Sequence, residues 1–264
     1  MHPIERLRAI ARSSGVDQEL LVQETASALS AFGDDPAGMV TACRRILYRN
    51  LASGPLWWLC SRVLTADDAM AEAWAAARQL EADQSPAELA YSLPEGAVVC
   101  VLGWPEQVAE GLTRRGDLDV LVVDVRGEGS SLVRALGRAA VEATDVAEHG
   151  LGAAVAAADV LVLEASMVGP DHALAVSGSL AAAAVAAQTD TPVWLLAGIG
   201  RLVPARVWEA VAAGLDEASD PWDAEVDAVP TRLVSRVGGP TGLESVAEAV
   251  ARTDCPVAPE LLRL

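Results

Sequence analysis

The sequence contains no lysine; all 19 basic side chains are arginine. That excludes Schiff-base lysines, a P-loop lysine and lysine general bases. Cysteine is scarce and scattered: Cys43, Cys60, Cys100 and Cys255 form no C-x-x-C pair. A zinc knuckle or thioredoxin-like motif is thereby excluded, and buried free thiols are expected. Positive charge is in deficit. Against 37 acidic residues, 19 − 37 leaves a net charge of −18. Such a surface does not coat nucleic acid, which needs a basic patch. A small anion in a local arginine pocket remains compatible with it.

Long apolar runs are missing too. The longest uncharged stretch, His172 to Thr189, is mostly alanine and carries Ser177, Gly178, Ser179 and Gln188, so it is a poor membrane span. The first residues alternate charge with aliphatics and hold no apolar signal core. A cytosolic protein is expected, with no membrane contact. What is present is apolar substance: 52% hydrophobic and 21% charged residues exclude a disordered chain. A chain of 264 residues makes one large domain or two small ones and needs no covalent staple.

The first 95 or so residues read as helices. Ile4, Leu7 and Ile10 have helical spacing. Asp17 opens a second helix with Leu21, Ala28, Leu29 and Phe32 on one face. A third spans 39–51. Ser53-Gly54-Pro55 opens a fourth, with proline well placed in its first turn. An alanine-rich fifth has the acidic start that the helix dipole favours.

At Pro94-Glu95-Gly96 the pattern changes to short apolar runs alternating with helical segments. Strands are predicted at 97–102, 119–125, weakly around 144–148, at 159–166 and at 192–197. The expectation is an α/β chain: a helical N-terminal domain over 1–95, then a Rossmann-like parallel sheet over 96–264, covered on both faces. Such sheets bind ligands at the carboxyl ends of their strands.

Dinucleotide binding fits poorly. The loop Gly103-Trp104-Pro105-Glu106-Gln107 has one glycine where the fingerprint needs three, although Asp124 stands where a ribose-binding carboxylate would. Gly198-Ile199-Gly200-Arg201 also lacks the third glycine. No cofactor and no metal are expected. A better anion site is Ser177-Gly178-Ser179 at a helix start, where N–H groups and hydroxyls can face a phosphate; a plain serine cap is the alternative. Arg126, before Gly127-Glu128-Gly129, suits phosphate recognition or is an ordinary surface charge.

These segments together resemble the initiation factor 2B alpha/beta/delta family, which includes methylthioribose-1-phosphate and ribose-1,5-bisphosphate isomerases. Ser53-Gly54-Pro55-Leu56-Trp57-Trp58 is similar to the family's alanine-arginine-proline stretch. Val123 to Gly129 is similar to its strand ending in Glu-x-Arg-Pro, and Asp159 to Ser166 to the strand ending in Gly-Ala-Asp. Gly178-Ser179 through Trp194 resembles its Gly-Thr helix and following strand. No motif is identical; the order and spacing agree.

The resemblance implies a sugar-phosphate or nucleotide site lined by Arg126, Gly103, Ser166, Ser177, Gly178 and Ser179. It also implies a homodimer or larger oligomer through the C-terminal domain, with Trp194 or Trp208 at the interface or in the core. The departures point away from catalysis. Gly103 stands at the isomerase cysteine, Ser166 at its aspartate, and Ala175-Val176 at its Asn-Lys. Three readings follow. One is a non-catalytic relative that binds a phosphorylated sugar or nucleotide and assembles, with a link to translation carried by the family name. Another is a diverged aldose–ketose isomerase using Cys100, Glu164 or His172, the histidine placed in a loop facing the pocket. The third is an interaction protein without a small ligand.

Overall fold

The computed structural model describes residues 18–33, 35–218 and 220–263. The helix expected around Ile4, Leu7 and Ile10 lies outside them. Among the described residues, five α-helices precede the first strand: α1 (Gln18–Leu29), α2 (Pro36–Arg49), α3 (Gly54–Thr65), α4 (Ala69–Glu81) and α5 (Ser85–Ser92). Local chemistry sets their starts. The Asp35 carboxylate accepts from the Gly38 N–H at the head of α2, and Asp68 accepts from the N–H groups of Met70 and Ala71 at the head of α4. Pro36, Pro55 and Pro86 sit in first turns, where no N–H is needed.

The sheet comprises β1 (Val98–Leu102), β2 (Asp119–Asp124), β3 (Glu142–Ala147), β4 (Val160–Val168), β6 (Val193–Leu196), β8 (Arg236–Gly239) and β9 (Gly242–Glu244), in the order β3-β2-β1-β4-β6-β8-β9. All neighbours are parallel except β8 and β9. The connecting helices are α6 (Glu106–Leu112), α7 (Gly129–Arg138), α8 (Leu151–Ala157), α9 (Ser179–Thr189) and α10 (Ala205–Ala218); α11 (Val246–Ala251) follows β9. The fold is therefore α/β, helical first and then a mostly parallel sheet. β1 and β4 bury most of their side chains, as continuous Val/Leu runs require, and β2 buries three of its six.

One feature departs from the expected alternation. β4 continues to Val168 and pairs antiparallel with β5 (His172–Val176), which pairs with β7 (Val226–Pro230). The segment around His172 is thus a strand and not a loop. Its run His-Ala-Leu-Ala-Val is too short and alanine-rich to separate from the helix after it. The helices α1 to α4 share one core with Met167 and Leu174 of this hairpin, with Val207 and Val211 of α10, and with Cys255 and Leu261. Trp57 and Trp58 of α3 lie fully buried at its centre.

Candidate functional site

The strand order reverses its direction of growth at β1 and β4, and the crevice expected at such a switch point opens beyond their carboxyl ends. Gly103 closes β1 with φ +62°, and Gly178 precedes α9 with φ +97°. A Cβ on Gly103 would meet Val125 Cγ2 at 3.5 Å, and one on Gly178 would meet Val125 Cγ1 at 3.2 Å. The Val125 methyls therefore lie between the two glycines. Behind them the helical layer presses in. A Cβ on Gly54 would come within 2.7 Å of the Ser166 carbonyl oxygen and 3.0 Å of Arg201 Cα. The Ser166 hydroxyl makes one long bond, 3.4 Å, to the Leu174 carbonyl.

Three sets of backbone N–H groups converge on this face, and each already holds a carboxylate. At the head of α6, Glu164 Oε2 accepts from the N–H groups of Gln107 (2.8 Å) and Val108 (3.1 Å). Its Oε1 pairs with Arg201 Nη1 at 2.9 Å, both side chains being nearly buried. In the turn after β2, Asp124 Oδ1 accepts from the Gly129 N–H at 3.2 Å. That bond and those from Gly127, Glu128 and Arg126 hold the Asp124 carboxyl below the usual carboxylate range. At the head of α9, Asp227 Oδ2 accepts from Gly178 (2.9 Å) and Leu180 (2.8 Å). These are the groups a phosphate would use.

The residues singled out from sequence are brought together only in part. Gly103, Gly178, Ser179 and Ser177 gather at the crevice, the last with its N–H on the Glu225 carbonyl. Ser179 is fully buried. Arg126 is exposed at the rim and reaches Glu225 Oε1 at 3.2 Å. Cys100 lies within β1, where burial pushes its thiol up to about 12. His172 opens β5, six residues before Gly178, and stacks on Trp208 with centroids 6.2 Å apart. Trp208 in turn covers Gly169, where a Cβ would meet the indole at 2.5 Å.

Sequence reasoning missed three supports. Asp83, after α4, joins the layers: its Oδ2 accepts from Gln107 Nε2 (2.9 Å) and from the Ile199 N–H (2.8 Å). Arg201 was visible only as the end of a broken glycine motif, yet its buried guanidinium anchors Glu164 and the Ala165 carbonyl. Asp227 belongs to a tail with no motif. A cleft of about 250 Å³ runs between the layers, lined by Asp83, Glu106, Gln107, Glu110, Arg114 and Arg201 among others.

Solved structures match this fold closely. Translation initiation factor eIF-2B of Pyrococcus horikoshii OT3 superposes over 92% of this chain and 96% of its own, with TM-score 0.77 at 15% identity. The eIF2B beta subunit of Chaetomium thermophilum covers 99% of this chain and 94% of its own, with TM-score 0.76 at 14% identity. The fold is that of the eIF2B subunits. A chain of the tetrameric eIF2B-beta2-delta2 complex of C. thermophilum agrees, with TM-score 0.75 at 16% identity over 94% of this chain and 92% of its own. No protein-family model and no curated protein matches the sequence. The eIF2B-like fold is thus shared almost end to end at 14–16% sequence identity. No helix among the described residues is long and apolar enough to cross a membrane.

Proposed function

We propose that this protein is a non-catalytic relative of the eIF2B regulatory subunits, cytoplasmic, that acts by assembling with protein chains, first with a second copy of itself. The carrying observation is the face at the strand ends. Asp124, Glu164 and Asp227 occupy its three sets of N–H donors. Isomerisation needs a base that moves a proton between adjacent carbons and a donor for the developing charge. Glu164 is committed to Arg201 and α6, and Ser166 does no carboxylate work. Assembly is supported by large apolar side chains left exposed, Trp104, Leu180 and Trp222 among them. The C. thermophilum neighbour is itself part of a tetrameric complex. The eIF2B-like fold supports a role in translation initiation.

Light scattering on the wild-type protein and on Leu180→Arg with Trp222→Arg tests this reading. A dimer or larger species that the double variant reduces to monomer is expected. A wild-type monomer at all concentrations, or turnover of ribose-1,5-bisphosphate or methylthioribose-1-phosphate by the same sample, would sink it.

A second reading, a phosphorylated sugar or nucleotide held at the rim, is favoured by Arg126. Its guanidinium is exposed and has one surface partner that a phosphate would outcompete. A ligand at 100 times its dissociation constant would add about 2.7 kcal/mol. That is a rise of about 5–11 °C in melting temperature, lost in Arg126→Ala.

A further inference from the structure

The cleft between the layers is acidic, and the described chain begins at its wall. Glu19, Glu81, Asp83, Glu106 and Glu110 line it, against two cations, Arg114 and Arg201. Both cations are already matched: Arg114 Nη2 meets Glu110 Oε1 at 2.7 Å, and Arg201 Nη1 meets Glu164 Oε1 at 2.9 Å. Asp83, among the described residues, draws on neutral donors: the Ser85 N–H and hydroxyl, the Gln107 amide and the Ile199 N–H. The lining therefore carries a surplus of negative charge. Gln18, the first described residue, belongs to the same lining. Its N–H donates to Glu106 Oε2 at 3.4 Å, and its side-chain oxygen accepts from the Ser53 hydroxyl. The sequence before it carries the opposite charge: residues 1–17 hold Arg6, Arg8 and Arg12 against Glu5 and Asp17. Arg12 is six residues from Gln18, so their Cα atoms are within about 20 Å of each other in any conformation.

We propose that this cleft is a site for a guanidinium-bearing peptide segment, and that the arginines of residues 1–17 occupy it in cis. The acidic lining has spent its own cations. The bond from Gln18 to Glu106 already fixes one end of the segment there. Arginine is the cation that fits, because its planar fork of donors matches a carboxylate on two bonds at once. Each such pair at a partly exposed cleft contributes little alone. A tether this short offsets that weakness, since it holds the arginines at an effective concentration on the order of millimolar. The proposal stands apart from the assembly reading and does not rest on it.

The test is a competition between the segment in cis and the same segment in trans. A fluorescein-labelled peptide of residues 1–17 is titrated with full-length protein at low ionic strength, and its anisotropy is read. The wild type, its cleft filled, binds the peptide about tenfold or more weakly than the full-length triple variant Arg6→Glu, Arg8→Glu, Arg12→Glu. A peptide with glutamine at the three arginines binds neither protein. In the triple-variant background, Glu81→Gln with Glu106→Gln removes most of the affinity. The exposed pair Glu142→Gln with Glu148→Gln, at and just after the edge strand β3, leaves it unchanged. Equal affinity of wild type and triple variant overturns the proposal, and so does a triple variant that binds no peptide. Equal weakening by the two glutamine pairs overturns it as well, because the attraction is then the general one of an acidic protein for a basic peptide. Where the triple variant does not fold, Arg12→Glu alone takes its place and is judged by the same comparisons.

Discussion

The turn after β2 and the head of α9 present the same chemistry and solve it differently. Both begin at a glycine with positive φ, Gly127 at +79° and Gly178 at +97°, and both turn several N–H groups toward the strand ends. The turn is closed locally: Asp124 lies five residues before the Gly129 N–H that it accepts. The helix is closed from afar, since Asp227 is 49 residues beyond Gly178. A local cap forms whenever its own loop forms. A distant cap exists only once β5, β7 and α9 are docked. The first is therefore a property of a segment, and the second reports on tertiary structure.

The head of α6 takes this difference to its limit, because its cap is also half of a buried ion pair. Glu164→Ala strips the Gln107 and Val108 N–H groups and leaves Arg201 buried without a counter-charge. Breaking a buried pair on one side costs about 3–5 kcal/mol. At about 2–4 °C per kcal/mol for a chain of this size, the melting temperature should fall by roughly 6–20 °C. Adding Arg201→Met should recover much of the loss. A Glu164→Ala protein that melts within a degree or two of wild type would show that the pair is not the anchor described here.

The two glycines provide the next contrast. Gly178→Ala forces a side chain into the left-handed region and against Val125 Cγ1 at 3.2 Å, whereas a Cβ on Gly127 meets nothing within 4 Å. The left-handed conformation alone costs about 1–2 kcal/mol. Gly178→Ala should therefore exceed Gly127→Ala in urea unfolding. Equal losses would place the cost in backbone strain and none in the crevice packing.

The same logic explains what could be read from sequence. The β1, β2, β4 and β6 runs, the helices between them and the change of character near Pro94 follow from local periodicity. The acidic start of α4 was legible too, whereas the Asp35 cap opens α2 three residues before the expected start at 39. The β4–β5–β7 hairpin extension was hidden because alanine fits strand and helix alike. Glu164 could be noticed as a carboxylate near a strand end, but only the docked α6 and Arg201 give it its role. Asp83 has a local partner in Ser85, but the bonds by which it joins the layers reach 24 and 116 residues away, and those of Asp227 reach 47 and 49, so neither role shows as a motif. His172 was placed at the pocket by sequence proximity; β5 carries it to the far end of the hairpin, onto Trp208.

Acid should separate the local cap further. The Asp124 carboxyl is held below its ordinary value, first by the Gly129 N–H. A carboxyl with a depressed folded pKa contributes stability that is present above its unfolded pKa, about 3.9. That contribution is lost as pH falls through the folded pKa. Wild-type stability should therefore decline as pH drops below about 4, and Asp124→Asn should show a shallower decline over that window. Identical pH profiles for the two proteins would remove Asp124 as a source of the acid sensitivity.

Arg126→Ala should have the smallest effect. Its ion pair with Glu225 is exposed on both sides, and such pairs contribute about 0–1 kcal/mol before salt screening. The melting temperature should shift by less than about 4 °C and move closer to wild type in higher salt. The size of that shift sharpens the comparison between the two closures. Glu225 stands two residues before Asp227, so a pair that held β7 in place would propagate its loss to the α9 cap. Arg126→Ala would then lose about as much stability as Asp227→Ala. A small loss instead leaves Asp227 positioned by the β5–β7 ladder alone, with Arg126 free at the rim for whatever approaches it.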